Sequence, residues 1–351
     1  MSAPLVSFSD LREFARSCYT RAGVAEEEAA IGAEVLATTD AWGVFTHGTK
    51  LLAGYLKRLR AGGLHPSGSP KVVREGGAWV VFDGNSTLAH PTSVKAMQWA
   101  IQRARIHGLA YAGLRNSCHF GAAGYYAWLA AREGLIGVAM ANDIPSVAAP
   151  GSRGAVTGSN PLAYAIPARR HDPILLDMSI AKVAGGKVFA ARARGEPIPG
   201  DWIIGADGCP TSDPSRFPME GALLPMAGHK GYGLALLIES LSALLTGASM
   251  TWGVRSWSHH DPGLPTLHGA AFLAMDPAVL AVKGDFAERV SSLIDEIHAS
   301  PRADGVERLY VPGEIEWERY RQQIAEGIAL PPDVIPPLRE AAALSGLASV
   351  V

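Results

Sequence analysis

Helical segments at both ends of the chain enclose a centre in which short strands alternate with helices. Apolar residues recur at helical spacing up to Gly63, and the tail from Phe286 is helical again. Ser7 and Asp10 stand in the spacing of a capping box, which indicates the start of the first helix. This pattern predicts an α/β protein whose terminal helices pack together. The predicted strands of the centre are KVVRE, AWVVFD, GLAYAGLRN, GLIGVAMAND and ILLDMS.

The composition excludes several classes of partner. The 351 residues carry a formal net charge of -2, so there is no basic footprint for nucleic acid. The N-terminus is polar and no apolar run approaches the roughly 18 residues of a spanning helix, so we expect neither a signal peptide nor a membrane anchor. The three cysteines are odd in number and suggest no disulfide framework. We therefore expect a soluble protein with reduced thiols in the cytoplasm.

Alternating strands and helices suggest a nucleotide-binding protein, yet the usual fingerprint is missing. No G-x-G-x-x-G opens a helix after any predicted strand. The nearest glycine clusters, at residues 121–124 and 228–233, have a different spacing. A dinucleotide must therefore be held without a Rossmann loop, if the chain binds one.

The stretch GHKGYG begins the strongest predicted helix, which starts at His229 and stops at Gly247. Free amides and the macrodipole attract anions to a helix N-terminus, and Lys230 adds a full charge. The stretch therefore fits a phosphate cradle. A glycine-rich turn with a solvated lysine fits it equally well.

Two histidines stand in settings that suit chemistry. His119 lies in NSCHFGAAGYY, among glycines that would let a ligand approach the backbone; a structural histidine in a turn is the alternative. His47 follows Thr46, and a hydroxyl beside an imidazole fits an oriented acid–base group. Tyr55, two helical turns further on, falls on the same helix face as His47. A capping threonine with a surface histidine is the alternative there.

Other polar stretches are ambiguous when taken singly. Asp177 ends an apolar strand and precedes a serine, two glycines and Lys187, so it is either a ribose acceptor or a turn former. Ser159, in GSNPLAYAIP, either binds a ligand or closes a turn. His259 and His260 are adjacent and point apart, so we expect no metal site there. The Gly-x-Ser-x-Gly elbow of serine hydrolases is absent.

The order of these stretches resembles the type-2 malate/L-lactate dehydrogenase family. That family includes ureidoglycolate and sulfolactate dehydrogenases, diketogulonate reductases and cyclic-imine reductases. The resemblance implies NAD or NADP as cofactor, a small-molecule substrate, and a homodimer with its active site near the interface. It spans residues 7–347 and rests on T-H-G, N-S-x-H-F-G-x-A-G-Y-Y, G-x-N-P, D-M-S with G-K-V, G-H-K-G-Y-G-L-A-L and V-P-G-E, in that order.

The resemblance also implies a division of the chain. Residues 1–72 would form an N-terminal helical part, and residues 73–280 the α/β dinucleotide-binding and catalytic domain. Residues 281–351 would form a C-terminal helical part that packs with the first. The expected fold class is α/β, with a non-Rossmann dinucleotide-binding domain that has a mixed β-sheet, plus a helical domain built from both termini.

Individual residues take expected roles from the family motifs. His119 matches an active-site histidine close to the cofactor, whereas His47, with Thr46 as its hydroxyl partner, matches the proton donor of some members. Both stay candidates for proton transfer, and Ser159 matches a threonine that contacts substrate in the imine reductases. The expected cofactor contacts are His119, Asp143, Asp177, Met178, Ser179, His229, Lys230, Pro312, Gly313 and Glu314, and the expected substrate contacts are Thr46, His47, Lys50, Leu51, Tyr55 and Ser159.

Two positions depart from the family pattern. Many members have an arginine that holds the substrate carboxylate where this chain has Leu51. Leucine does not replace a bidentate guanidinium, and Lys50 would point about 100° away on a helix. We therefore expect poor activity on small 2-oxo acids such as pyruvate. Lys187 stands where the imine-reductase branch tends to have an aspartate, which favours a carbonyl substrate.

The implied activity is hydride transfer between a nicotinamide and a 2-hydroxy acid, a 2-oxo acid or a related ketone. A histidine suits the accompanying proton transfer because its pKa lies near working pH. One alternative is NADPH-dependent reduction of a cyclic or N-alkyl imino acid. Another is a family member that has lost catalysis and only binds a nucleotide. The sequence leaves the choice between NAD and NADP open.

Overall fold

The computed structural model describes residues 4–351, so the first three residues of the predicted N-terminal part lie outside the described residues. The first helix begins as predicted, because the Oγ of Ser7 accepts the N–H of Asp10 at 3.0 Å. The helices are α1 (Phe8–Arg21), α2 (Glu26–Ala41), α3 (Leu52–Ala61), α4 (Ala89–His107), α5 (Ala123–Arg132), α6 (Gly185–Arg194), α7 (His229–Glu239), α8 (Pro277–Leu280), α9 (Phe286–Ala299), α10 (Glu314–Glu326) and α11 (Ile335–Ser345).

The strands form three sheets. The largest has seven strands in the order β2-β3-β4-β13-β5-β8-β9, the second has the order β11-β10-β12-β6-β7, and β1 pairs with β14. The strands are β1 (Leu5–Val6), β2 (Lys71–Glu75), β3 (Trp79–Asp83), β4 (Leu109–Ser117), β5 (Ile136–Ala141), β6 (Val147–Ala148), β7 (Ala155–Thr157), β8 (Leu162–Ile166), β9 (Ile174–Met178), β10 (Ile203–Ile204), β11 (Pro210–Thr211), β12 (Ala222–Leu223), β13 (His268–Met275) and β14 (Ile328–Ala329).

The seven-stranded sheet is mixed and mostly antiparallel. Within it, β3 and β4 run parallel, whereas every other neighbouring pair is antiparallel. The predicted α/β fold with a mixed sheet is confirmed. A sheet of this kind differs from the parallel, doubly wound sheet that the Rossmann fingerprint serves.

Both faces of this sheet are covered by helices. On β13, the buried Ala270, Phe272 and Ala274 belong to the main core, in which α4 and α5 pack against the sheet. The intervening Ala271 and Leu273 point to the other face, where they join a smaller core with residues of α7. This alternation follows from the two-residue period of a strand and explains why β13 is almost continuously apolar.

The two ends of the chain meet. Strand β1 pairs antiparallel with β14, and helix α11 packs against α3 and α1. Helix α10 packs against α2, whose Trp42 lies edge-on to Trp317 with ring centroids 5.6 Å apart. The terminal helices therefore pack together, as the sequence pattern predicts.

Two predicted helices differ in detail. The one predicted from Thr46 starts later, with a 3₁₀ turn at Thr49–Leu51 that leads into α3, so His47 precedes the helix. The predicted shared helix face of His47 and Tyr55 is therefore wrong. The helix that starts at His229 changes to a π-helical turn at Ser240–Leu244 before it stops near Gly247, which has φ +73°. Such π turns are frequent at functional sites.

One end of the seven-stranded sheet gathers the candidate residues. Antiparallel pairing brings the last residues of β4, β5 and β9 to the same end as the first residues of β8 and β13. At this end the chain leaves or enters the sheet through polar side chains rather than apolar ones. They are His119 after β4, Asp143 after β5, Ser159 before β8, Asp177 in β9 and His268 at the start of β13.

Candidate active site

A cleft of about 1370 Å³ opens at this end of the sheet. Its walls come from the turn before α3, the ends of the sheet strands, the start of α6 and the segment that leads into α10. The structure brings together ten of the residues predicted from sequence. They are Thr46, His47, Lys50, His119, Asp143, Ser159, Asp177, Ser179, Pro312 and Gly313.

The ring of His119 is fixed on several sides. Its Nδ1 lies 2.7 Å from the hydroxyl of Tyr55, which comes from α3. The N–H of Gly121 also points at Nδ1, at 3.3 Å. The neutral tautomer that accepts this N–H carries its proton on Nε2, whereas the tautomer that donates Nδ1–H to the Tyr55 hydroxyl leaves Nε2 free to accept a proton. Tyr55 does not line the cleft and is connected to it through this contact with His119.

His47 stacks on His119, with ring centroids 5.6 Å apart and planes inclined by 28°. The hydroxyl of Thr46 lies 2.9 Å from Nδ1 of His47, which is the pairing that the sequence predicts. Burial lowers the pKa of His47, and the negative charge of Asp143 opposes this shift. Burial also holds the pKa of His119 well below its usual value, and the neighbouring histidines add to the effect. Both imidazoles are therefore neutral near pH 7.

The turn that carries His47 is fastened by Asp40 of α2. One carboxylate oxygen of Asp40 accepts the N–H of Thr49 at 2.9 Å and its hydroxyl at 2.5 Å. Gly48 passes so close to the carboxylate that a side chain there would overlap it. Asp40 is fully buried, and burial raises its pKa to about 7 despite these hydrogen bonds. Asp40, which lies outside the cleft, thus fixes the turn that places His47 inside it.

Asp143 is placed by a buried polar network that the sequence did not reveal. Its carboxylate lies 3.1 Å from Nε2 of His268, and its N–H donates to the side-chain oxygen of Asn160 at 3.1 Å. The amides of Asn142 and Asn160 both donate to Glu239, a buried residue of α7. Helix α7 is thereby tied to the cleft through Glu239, while the buried Nδ1 of His268 has no partner among residues 4–351.

Two further histidines near His119 were missed. His268 starts a strand, and the only sequence signal was a lone histidine beside an apolar run. His90 is fully buried on α4, edge-on to Tyr55 with ring centroids 4.9 Å apart, and among residues 4–351 neither of its ring nitrogens has a hydrogen-bond partner. Burial lowers its pKa to about 3, so it contributes no charge at neutral pH. Nothing in the sequence around His90 indicated its proximity to the other histidines.

Another part of the cleft wall is built to hold anionic and hydroxyl groups. The N-terminus of α6 lines the cleft with Gly185, Gly186 and Lys187, and a side chain at Gly186 would meet no atom within 4 Å. Within residues 4–351 the ammonium of Lys187 has no ion pair, in contrast to that of Lys182, which pairs with Asp201 at 3.0 Å. Backbone N–H groups at a helix N-terminus together with a free ammonium suit a phosphate.

The segment before α10 and the end of β9 complete this wall. Gly313 has φ +97°, and a Cβ there would lie 2.8 Å from that of Leu175, so only glycine fits. Asp177 keeps one carboxylate oxygen on the N–H of Gly124, at 2.7 Å, and otherwise faces the cleft. The volume of the cleft, the open glycines and this set of donors and acceptors fit a dinucleotide.

Six predicted residues do not line the cleft. His229 and Lys230 are exposed at the start of α7, and Glu314 is engaged by His298 at 2.9 Å and by the N–H of Val311 at 3.0 Å. Within this chain the start of α6, and not GHKGYG, lines the cleft. The others outside the lining are Leu51, Tyr55 and Met178.

Among residues 4–351, neither Lys50 nor Arg58 is free to replace the arginine that is missing at Leu51. Leu51 lines a separate cavity of about 430 Å³ next to the cleft. Lys50 belongs to both cavities but pairs with Asp333 at 2.6 Å. Arg58 is buried, and its guanidinium donates to backbone carbonyls, among them those of Trp257 and Ser256. To bind Lys50 or Arg58, a substrate carboxylate would have to compete with these hydrogen-bond and ion-pair partners.

No group of three or more His, Cys, Asp or Glu side chains among residues 4–351 could hold a metal ion. No helix in that range is long and apolar enough to cross a membrane.

The fold and the cleft define an α/β enzyme with a stacked histidine pair in a ligand-binding cleft. The chain belongs to the malate/L-lactate dehydrogenase family, whose profile matches residues 6–339. It is accordingly a dehydrogenase or reductase.

The relatives cover nearly the whole chain. An L-sulfolactate dehydrogenase of Methanocaldococcus jannaschii is 36% identical over 318 residues, which are 91% of this chain and 90% of that protein. A Δ¹-pyrroline-2-carboxylate/Δ¹-piperideine-2-carboxylate reductase of Pseudomonas putida is 31% identical over 347 residues, which are 97% and 99% of the two chains. The solved structure of the M. jannaschii sulfolactate dehydrogenase superposes with a TM-score of 0.90 at 34% identity and covers 98% of both chains.

Proposed function

We propose that this protein is an NAD- or NADP-dependent oxidoreductase of a 2-hydroxy acid, its 2-oxo acid or a related ketone. The observation that carries the proposal is the placement of His119 on the cleft, with Nδ1 bound to Tyr55 and Nε2 without a partner among residues 4–351. The bound nicotinamide would supply or accept the hydride. The family membership and the cleft that suits a dinucleotide support this reading.

The proton moves through His119 or His47 in this proposal. In the oxidation direction a neutral imidazole takes the hydroxyl proton of the substrate, and burial keeps both rings neutral near pH 7. In the reduction direction the protonated ring gives the proton to the carbonyl oxygen. The Tyr55 hydrogen bond favours His119 as the proton carrier, while Thr46 orients His47 beside it.

The cofactor would lie along the wall built by α6, β9 and the segment before α10. Gly185, Gly186 and Lys187 would face the diphosphate, whereas Asp177 and Ser179 would face ribose hydroxyls. Asp143 and His119 would lie near the nicotinamide. Pro312 and Gly313 would contact the other end of the dinucleotide. The division into residues 1–72, 73–280 and 281–351 stays a prediction, as do the cofactor contacts of Met178, His229, Lys230 and Glu314.

We infer a homodimer as well. Leu236 and Leu237 of α7, with Leu244 and Leu245 just after it, are exposed to between 44% and 59%. A row of exposed leucines on one helical segment marks an association surface. The same helix begins at His229, next to Lys230, so a partner subunit seated there would cover its N-terminus. Light scattering should give a dimer for the native chain and a monomer for Leu237→Glu combined with Leu244→Glu.

Reduction of a cyclic imino acid is a second candidate, because one relative at 31% identity is named for that activity. A substrate panel decides between the two. Pyruvate, oxaloacetate, sulfopyruvate and bulkier 2-oxo acids are tested against Δ¹-piperideine-2-carboxylate, each with NADH and with NADPH, at the nicotinamide absorbance. We expect the best kcat/KM on a 2-oxo acid. A best value on the imine would replace the proposal, and no turnover on any compound would contradict both activities.

A further inference from the structure

Trp257 covers the two rings that share the central hydrogen bond of the site. Its indole stacks on His119 with ring centroids 4.7 Å apart and planes inclined by 24°. The same indole stacks on Tyr55 at 5.3 Å and 21°. His47 lies on His119 as well, so the imidazole is held between an indole and a second imidazole.

Trp257 is kept in this position by a buried arginine. Arg58 is 1% exposed, and its Nε donates to the carbonyl of Trp257 at 2.5 Å. Its terminal nitrogens donate to the carbonyls of Ser256 at 2.9 Å and Leu264 at 3.0 Å. No carboxylate among residues 4–351 forms an ion pair with it, so its buried charge is satisfied by the loop that carries the indole.

Helix α3 leaves room for the indole at one residue. A Cβ at Gly54 would lie 2.7 Å from Cζ3 of Trp257, so any side chain there would push the ring away from Tyr55. Glycine inside a helix costs roughly 1 kcal/mol relative to alanine. The indole of Trp257 occupies the space left by the missing side chain at Gly54.

We propose that Trp257 is a positioning residue for His119, which holds the imidazole in line with Tyr55 and favours its protonated form by cation–π attraction. A cation over the face of an indole within about 6 Å is stabilised by the ring quadrupole, most strongly where water is excluded. The proposal rests on the proposed function, in which His119 carries the proton. It explains how a ring in these surroundings still becomes protonated for reduction.

The other groups around His119 mostly disfavour a positive charge on it. Burial lowers the pKa of His119, and any positive charge on the neighbouring His47, His268 or His90 would lower it further. The aromatic face of Trp257 therefore offsets the effect of these groups on a positive charge at His119. The remaining titratable or charged groups of this region are Tyr55, Cys118 and Asp143, the last engaged by His268, and the cleft lysines Lys50 and Lys187.

The test follows the Cε1–H nuclear magnetic resonance signal of His119 through a pH titration of the full chain. The signal is identified by its loss in His119→Gln. Trp257→Leu should lower the titration midpoint by about half a pH unit or more, and Trp257→Phe by less, since a phenyl ring keeps part of the attraction. Gly54→Ala should act like Trp257→Leu without weakening the helix, which keeps the test open if the leucine variant folds poorly.

Trp79→Leu is the matched control, because that indole also lies near a cation, Arg74 at 5.7 Å, but outside the cleft. An unchanged His119 midpoint in both Trp257→Leu and Gly54→Ala would overturn the proposal, and so would an equal shift in the control. In the reduction direction, the pH profile of kcat should move with the midpoint. If the midpoint moves while His119→Gln keeps full turnover, Trp257 positions His119 but the proposed proton transfer is wrong.

Discussion

The hydroxyl of Tyr55 lies 2.7 Å from Nδ1 of His119, and this contact joins a helix of the N-terminal segment to the end of a sheet strand. It fixes the imidazole so that Nε2 is left for a substrate. Tyr55 therefore acts on the reaction through His119 rather than through His47, its expected neighbour on a helix face.

Replacing Tyr55 by Phe removes this hydrogen bond and keeps the aromatic stack. A neutral hydrogen bond contributes about 0.5–1.5 kcal/mol, so kcat should fall roughly two- to tenfold with little change in cofactor affinity. Steady-state rates on the best substrate of the panel measure this. Tyr111→Phe is the control, since its hydroxyl donates to the carbonyl of Leu241 on the other face of the sheet. Equal rates in Tyr55→Phe and the native enzyme would show that the contact has no catalytic role.

Asp40 should make the stability of the protein depend on pH. Its folded-state pKa of about 7 lies above the unfolded value near 4, so the folded state binds more protons between these limits. The contribution of Asp40 to the free energy of unfolding therefore falls as pH rises from about 4 to 7 and is level above that. Asp40→Asn should flatten this slope, as followed by urea unfolding at several pH values. Parallel pH profiles for the two proteins would refute a raised pKa for Asp40.

Lys187 should contribute to dinucleotide affinity. A charge-assisted hydrogen bond is worth about 1.5–3 kcal/mol, so Lys187→Ala should raise the Kd for NADH or NADPH by one to two decades. Lys182→Ala is the control, because that lysine pairs with Asp201 outside the cleft. Lys230→Ala is measured alongside, and a loss of affinity there would mean that a partner subunit brings the start of α7 to the cleft. An unchanged Kd in Lys187→Ala would remove the phosphate cradle from α6.

Leu51 is expected to set the range of substrates. With Lys50 paired to Asp333 and Arg58 enclosed by carbonyls, a small 2-oxo acid finds no free guanidinium, so kcat/KM on pyruvate or oxaloacetate should be low. Leu51→Arg should raise that value relative to the best substrate, whereas Leu51→Met should not. High native activity on pyruvate would mean that another group, such as Lys187, already holds the carboxylate.

The sequence predicted the main elements because periodicity and helix caps are local signals. The strand predicted at GLAYAGLRN, which is β4, and the Ser7 cap of α1 are examples, and the order of the motifs led to His47, His119 and Asp177. That the start of α6 lines the cleft of this chain while the start of α7 does not was not predictable, since both stretches are glycine-rich helix starts and only the tertiary fold decides which one lines the cleft.

Contacts between segments that are distant in sequence also could not be predicted. The stack of Trp257 on His119 depends on how Arg58 binds the carbonyls of a loop almost 200 residues further along the chain. The carboxylate of Asp143 and the ring of His268 meet because two neighbouring strands run antiparallel, and neither residue has a local pattern that indicates the other. Such contacts between distant side chains leave no periodic pattern in the sequence.

The central claim is that a cleft histidine, His119 in the first place, carries the proton that accompanies hydride transfer. The most direct measurement is kcat of His119→Ala on the best substrate of the panel, with the Kd of the nicotinamide cofactor determined for the same variant. A general acid contributes about 10²–10⁴-fold, so kcat should fall by at least 100-fold while the Kd stays within threefold of the native value. His47→Ala, measured in parallel, should cost less. If neither variant lowers kcat as much as tenfold, the account is contradicted.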